Sequence, residues 1–119
     1  MNAMTPQEVF DKVATHLLTQ NAKAYREASQ HGCAYHTADG KKCAVGCLIE
    51  IKEYGDWMEG GDITDLLEST KLSKGLRSRL EPHTELLWHL QQLHDGTAVN
   101  EWKDALQKAA TKFGLEWKH

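Results

Sequence analysis

The chain has 119 residues, of which 40% are hydrophobic and 26% are charged, a composition that is ordinary for a folded globular protein. This length is enough to bury one hydrophobic core but not two, so we expect a single domain over residues 1–119. The apolar runs are far shorter than the roughly 20 residues that span a bilayer, and the first residues lack the pattern of a signal peptide, so we expect a protein that is not embedded in a membrane. The net charge of −3 disfavours direct nucleic-acid binding.

The first predicted element is a helix. Thr5, Pro6 and Glu8 form the pattern of a capping box with proline in the first turn, and apolar residues at helical spacing continue the helix to about Ser29. A turn signal follows at residues 38–40, between two short runs of β-forming residues and cysteines. We therefore expect a small β-hairpin near residues 33–43. After it we expect a short helix through Val45, with these residues on one side: Cys43, Cys47, Ile51 and Tyr54.

Further helical segments are predicted downstream. Asp62 is placed to cap one of them, and leucines at positions 72, 76 and 80 indicate another. Pro82 lies in the first turn of a helix that Gly96 would end, and a last helix follows up to Gly114. Trp88 and Trp102 fall on helix faces and are expected in the core. The predicted fold is therefore mainly α: a compact helical single domain of about five helices with one small β-hairpin.

The region of the predicted hairpin also holds a candidate metal site. Its spacing is C-x2-H-x6-C-x3-C, which supplies the thiolates and imidazole that zinc prefers in a tetrahedral set. Free cysteine on a helix that enters a core behaves instead as a small apolar residue, which is the alternative we favour. The set consists of Cys33, His36, Cys43 and Cys47. Since the chain has three cysteines and no secretory signal, we expect reduced thiols and a cytoplasmic location rather than a disulfide framework.

The most distinctive charge pattern lies just downstream. An acidic residue occupies every third position from residue 50 to residue 68, seven of the 17 acidic residues of the chain. One interpretation is a solvated outer face. The other is an acidic surface that binds a basic partner or imitates a phosphate backbone. For the second interpretation we expect the partner-binding residues to be Glu50, Glu53, Asp56, Trp57, Glu59, Asp62 and Asp65.

Five features occur together in the chain: the segment Cys33-Ala34-Tyr35-His36, the segment Gly40 to Ile49, Tyr54, the segment Met58-Glu59-Gly60 and the pair His94-Asp95. In these features the chain resembles a family of small bacterial and phage proteins without an established activity. Its pattern is Cys-x-Tyr followed by Gly-x-Lys-Cys-Ala-x-Gly-x-Leu-Ile. The resemblance implies a bacterial or phage setting and no catalytic residue. In that family arginine often replaces His36 and another residue replaces Cys47, which argues against a zinc site.

These observations favour a non-enzymatic protein-interaction module of bacterial or phage origin. Its specific form would be an anti-CRISPR-like inhibitor of a host nucleic-acid-handling or defence complex, which acts through the acidic surface without a cofactor. One alternative is a small zinc- or thiol-containing regulatory protein that uses the Cys33, His36, Cys43 and Cys47 cluster. A second alternative is a Cys/His enzyme based on Cys33 or His94. The sequence carries no catalytic motif and does not determine the oligomeric state.

Overall fold

The computed structural model describes residues 4–24, 34–59 and 61–119. This part of the chain contains five α-helices: α1 (Pro6–Gln20), α2 (Ile63–Glu68), α3 (Lys74–Leu80), α4 (Thr84–Gly96) and α5 (Trp102–Lys112). It also contains five 3-10 helices: Gly46–Leu48, Ile51–Glu53, Asp56–Met58, Glu81–His83 and Val99–Glu101. The prediction of a mainly helical protein is confirmed.

Helix α1 begins as the sequence predicts. The Oγ1 of Thr5 accepts the amide of Glu8 at 3.1 Å, and the Glu8 carboxylate accepts the amide of Thr5 at 2.8 Å, which is a complete capping box. The helix ends earlier than expected, because Asn21 adopts a left-handed conformation with φ 50° and closes the last turn on Leu17. The prediction of one helix that runs to about Ser29 is therefore wrong at Asn21. The rest of that segment lies outside the described residues.

The predicted β-hairpin near residues 33–43 is wrong. Residues 34–59 contain no β-strand, and only one isolated antiparallel bridge joins His36 to Lys42. The turn itself does form, with the amide of Gly40 donating to the carbonyl of Thr37 at 3.1 Å and Gly40 at φ 89°. Cys33, the first residue of the predicted hairpin, lies outside the described residues.

Side chains explain why the pairing stops after one bridge. The amides of Tyr35 and His36 donate to the carboxylate of Glu59, and the amide of Lys42 donates to Oε1 of Gln20 at 2.9 Å. The carbonyl of Lys42 accepts from Nε2 of the same glutamine at 2.9 Å. Since these backbone groups already have partners, a strand ladder is not needed to satisfy them.

The helix predicted through Val45 is also replaced. Three short 3-10 helices separated by extended residues cover residues 46–58, so Cys43, Cys47, Ile51 and Tyr54 do not share one helical face. Gly46 lies so close to the preceding loop that a Cβ atom there would be 1.9 Å from the carbonyl oxygen of Tyr35. This close approach is the structural reason for a glycine at the position.

The C-terminal helices agree better with the sequence. The Oδ1 of Asp62 accepts hydrogen bonds from the amides of Thr64 and Asp65. The carboxylate of Asp65 in turn accepts the amide of Asp62 at 3.0 Å, so α2 is capped as predicted. Helices α4 and α5 pack against each other and against α1. Gly114, at φ 67°, ends the last turn, and the amide of the next residue donates to the carbonyl of Ala110 at 2.8 Å.

Residues from all three described segments form the hydrophobic core. Trp102 is fully buried in it, as predicted, and its Nε1 donates to the carbonyl of Thr97 at 3.0 Å. The prediction of a buried Trp88 is wrong, since 45% of this side chain is exposed. Within the described segments, no helix has both the length and the apolar character needed to cross a bilayer.

Candidate interaction surface

The acidic residues of positions 50–65 do not form one uniform solvated row. Glu59 is half-buried, and its carboxylate accepts three hydrogen bonds: from the amides of Tyr35 and His36 and, at 2.6 Å, from the hydroxyl of Tyr54. The ring of His36 stacks on that of Tyr54, with centroids 4.6 Å apart. Glu59 therefore organises the loop internally.

Glu53 is also engaged within the fold. Its carboxylate accepts two hydrogen bonds from Arg79 of α3, at 2.6 and 3.1 Å, and a third from the amide of Glu50 at 2.9 Å. The guanidinium of Arg79 in addition donates to the carbonyl of Leu48 at 2.9 Å. Burial raises the pKa of Glu53, but the bonds and charge of Arg79 and the amide bond outweigh that effect and leave the pKa below its usual value. This pair fastens the 3-10 turns to α3.

Asp62 and Asp65 also have local structural roles, since both cap α2. The remaining acids of the predicted set, Glu50 and Asp56, are exposed, and their contacts are local: Glu50 pairs with Lys52 at 3.5 Å and Asp56 accepts the hydroxyl of Tyr54 at 3.4 Å. Two exposed apolar side chains lie on the same 3-10 turns: Ile51 is 77% exposed and Trp57 is 37% exposed. We call these four residues, Glu50, Ile51, Asp56 and Trp57, the turn surface.

The indole of Trp57 packs against Gly55. A Cβ atom on Gly55 would lie 2.5 Å from the Nε1 of Trp57, so the ring lies directly over this glycine. Beside the ring is a surface depression of about 300 Å³, which Met58, Asp65 and Leu66 help to line. A partly exposed tryptophan at the edge of a depression is a side chain of the type that anchors protein partners.

Ile51 is the member of this surface that the sequence pattern assigned to the wrong environment. Helical spacing placed it beside Cys43 and Cys47 on a face packed into the protein, whereas the 3-10 turn directs it to solvent. Its immediate neighbours Glu50 and Lys52, both exposed, were the available signal that this position faces water.

The cysteine and histidine positions have other partners. His36 donates its Nε2–H toward the carbonyl oxygens of Gly46 and Ile49, each at 2.9 Å. The thiol of Cys47 donates to the carbonyl of Ala44 at 3.1 Å, and burial raises its pKa to about 12. Cys43 is fully buried, and its Sγ accepts the amide of Gly46 at 3.3 Å.

A zinc site at this position would need thiolates and a free imidazole nitrogen. In the segments that the structure describes, no three His, Cys, Asp or Glu side chains lie close enough together to hold a metal ion. Cys33, the fourth residue of the predicted set, is outside those segments. The geometry of the other three members fits packed and hydrogen-bonded side chains.

The pair His94-Asp95 has the geometry of a buried structural dyad. Nδ1 of His94 donates to Asp95 at 2.7 Å, and its Nε2 accepts the amide of Ala24 at 3.2 Å, so both ring nitrogens are used. The ring is fully buried and stacks on Trp102 at 5.4 Å between centroids. A general base needs a nitrogen that substrate can reach, and this histidine offers none.

Gln91 extends this network and is not among the residues that the sequence pattern predicts as functional. It is buried in α4, donates to Asp95 at 3.0 Å and accepts the amide of Val45 at 3.2 Å. His94 and Gln91 of α4 thereby bind two backbone amides: that of Ala24, after α1, and that of Val45, before the first 3-10 helix. A glutamine between leucines of an otherwise apolar helix face was the signal for it.

Comparisons with known proteins add no identification. No protein family, curated protein or solved structure shows a significant match to this chain.

Proposed function

We propose that this protein is a non-enzymatic protein-interaction module, of bacterial or phage origin and cytoplasmic, that binds a protein partner through the turn surface. The observation that carries the proposal is the exposure of two apolar side chains on successive 3-10 turns, Ile51 at 77% and Trp57 at 37%, each next in sequence to an exposed acid. An apolar centre with a charged rim is the usual anatomy of a protein interface. The six acids of the predicted partner-binding set remain part of the acidic field, but Glu50 and Asp56 are the ones we expect to contact a partner.

The specific form of the proposal is inhibition of a host nucleic-acid-handling or defence complex. Such complexes carry basic surfaces that bind phosphate backbones, and an acidic surface with an aromatic anchor competes for them. A competitor of this kind binds less tightly as salt rises, because its charges are exposed.

The test is site-specific photocrosslinking in a bacterial host. A photoreactive amino acid at position 51 or 57 is compared with the same amino acid at Lys103, an exposed position on α5. A partner captured from positions 51 and 57 and not from 103 is then purified, and its affinity is measured. We expect Trp57→Ala to weaken binding at least tenfold, as for an interface anchor.

The matched charge control is available within the chain. We expect the double reversal Glu50→Lys/Asp56→Lys to weaken binding roughly tenfold, and the reversal of two exposed acids elsewhere, Asp104→Lys/Glu116→Lys, to have little effect. Equal losses from both double variants would mean that only net charge matters. No site-dependent crosslink would contradict the proposal.

A further inference from the structure

A second surface, separate from the turn surface, follows the seam between α4 and α5. Three consecutive depressions of about 300 to 450 Å³ lie along it, and neighbouring depressions share lining residues. Glu85 and Phe113 line both the first and the second, while His89 and Lys112 line both the second and the third. Together they make a groove that accompanies α4 from His83 to Thr97, about 20 Å at 1.5 Å per residue.

The groove has an apolar floor. Trp88 projects from α4 with 45% of its side chain exposed, and Phe113 contacts the edge of His89 with centroids 5.5 Å apart. Leu93 and Ala109 continue the floor toward the far end. An indole nearly half in water on a helix is the largest exposed apolar side chain in the described part of the protein. It is the side-chain type most enriched among residues that dominate binding energy.

The charge along the groove is asymmetric. Lys108 and Lys112 of α5 line its wall, one turn apart. Among the described residues, Lys112 has no ion pair, and Lys108 has only an exposed one with Asp104. Burial, together with the charge of Lys112, lowers the pKa of His89 below its ordinary value of 6.5. The two lysines are therefore the cations of this wall at pH 7. Glu81 and Glu85 are the acids at the opposite end.

We infer that this groove binds an amphipathic α-helix of a partner protein, with the apolar face of that helix on Trp88 and its acidic flank against Lys108 and Lys112. A groove of about 20 Å accommodates three to four helical turns. A strand is a poor occupant, because α4 and α5, which line most of the groove, bond their own backbone groups internally and offer no sheet edge to pair with. The inference is independent of the proposed function, since the groove and the turn surface share no residue.

The experiment uses the whole protein and synthetic helical peptides of about 16 residues. The first peptide has leucine and phenylalanine at helical spacing on one face and glutamate on the flanks, the second has lysine in place of glutamate, and the third has the same composition in scrambled order. Binding is measured by fluorescence anisotropy of labelled peptide. We expect the acidic peptide to bind and the other two to bind at least tenfold more weakly, and we expect added salt to reduce the difference.

Variants then locate the site. We expect Trp88→Ala to weaken binding of the acidic peptide roughly thirtyfold, as for an interface hot spot. The double reversal Lys108→Glu/Lys112→Glu should shift the preference toward the lysine peptide. The matched controls are Lys103→Glu, on α5 but outside the groove, and Trp57→Ala on the turn surface, which we expect to leave peptide binding unchanged.

Three results would overturn the inference: equal binding of the acidic and lysine peptides, a loss from Lys103→Glu as large as that from the double reversal, or unchanged binding in Trp88→Ala. Light scattering, which measures the oligomeric state, tests whether a second copy of this chain occupies the groove instead. If the protein is a dimer that Trp88→Ala converts to a monomer, the groove holds a second copy of this chain and the inference is wrong.

Discussion

The substitution Gly46→Ala tests whether the close contact between the loop and the first 3-10 helix is essential to the fold. A Cβ atom at this position would lie 1.9 Å from the carbonyl oxygen of Tyr35 and 2.7 Å from its carbonyl carbon. The shorter distance is 1.1 Å below the 3.0 Å that real Cβ contacts respect. Both neighbours are backbone atoms, so no flexible side chain can rotate away to relieve the overlap.

The loop cannot move without loss of hydrogen bonds. A shift of Tyr35 displaces its amide from Glu59 and its carbonyl from the amide of Cys43, and a shift of Gly46 displaces its carbonyl from His36. Either shift alone relieves the overlap and breaks one or two of these bonds, so with about 1 kcal/mol for each bond and about 1–3 kcal/mol for overpacking we expect Gly46→Ala to lower the free energy of unfolding by about 3 kcal/mol. For a domain of this size the melting temperature should fall by ~10 °C.

The same chain provides a control with the opposite sign. Gly75 lies in the first turn of α3, its φ is not positive, and a Cβ atom there meets nothing within 4 Å. We expect Gly75→Ala to raise the free energy of unfolding by about 0.5–1 kcal/mol, because alanine is the better helix former. Urea denaturation followed by far-UV circular dichroism measures both variants. A Gly46→Ala protein within about 0.5 kcal/mol of the wild type would refute the argument.

Three further predictions concern the internal polar contacts. We expect Glu53→Gln to destabilise the protein by about 1–2 kcal/mol at pH 7, and this loss should shrink toward zero in denaturation series carried down to pH 3. The sign follows because the pKa of Glu53 in the folded protein is below its ordinary value of 4.5. The contact with Arg79 therefore stabilises the folded state above pH 4.5, and this stabilisation is lost as the pH falls through the folded-state pKa. Asp95→Ala leaves the Nδ1–H of buried His94 without its acceptor and should cost about 2–3 kcal/mol, whereas a loss below about 0.5 kcal/mol would contradict the network. Because the pKa of Cys47 is about 12, we expect iodoacetamide to label this thiol at pH 8 far more slowly in the folded protein than in urea, as read by peptide mapping, and equal rates would be inconsistent with its burial.

The helical part of the fold was predictable where the signal is local. The capping box at Thr5 and the helix cap at Asp62 appear in the structure as the sequence predicts them, because each depends on residues within one helical turn. Helix α4 likewise follows from its leucine spacing and from Gly96 at its end. The turn at residues 38–40 forms for the same reason, since its geometry needs only the φ freedom of Gly40.

The segment from residue 34 to residue 59 was not predictable in this way. Its conformation depends on side chains distant in sequence, such as Gln20 on the backbone of Lys42 and Arg79 on Glu53. Periodicity suggested a helix through Val45 because apolar residues recur there, but such spacing carries no information about the contact that Gly46 makes with the preceding loop. The turn surface could be predicted from the sequence only in part, because the exposure of Ile51 depends on the conformation of the segment from residue 34 to residue 59.

The hydrogen bonds of Glu59 have a consequence for sequence variation in this protein. In most folds, polar loop positions vary freely and the apolar core is restricted. Here the loop backbone is held by a few polar side chains, Glu59, Gln20 and Gln91 among them, and each satisfies amides or carbonyls that have no strand to pair with. A leucine of α4 can be exchanged for methionine at small loss, whereas no apolar residue can replace these three. Random mutagenesis with selection for folded protein should therefore find its least tolerant positions among hydrophilic residues.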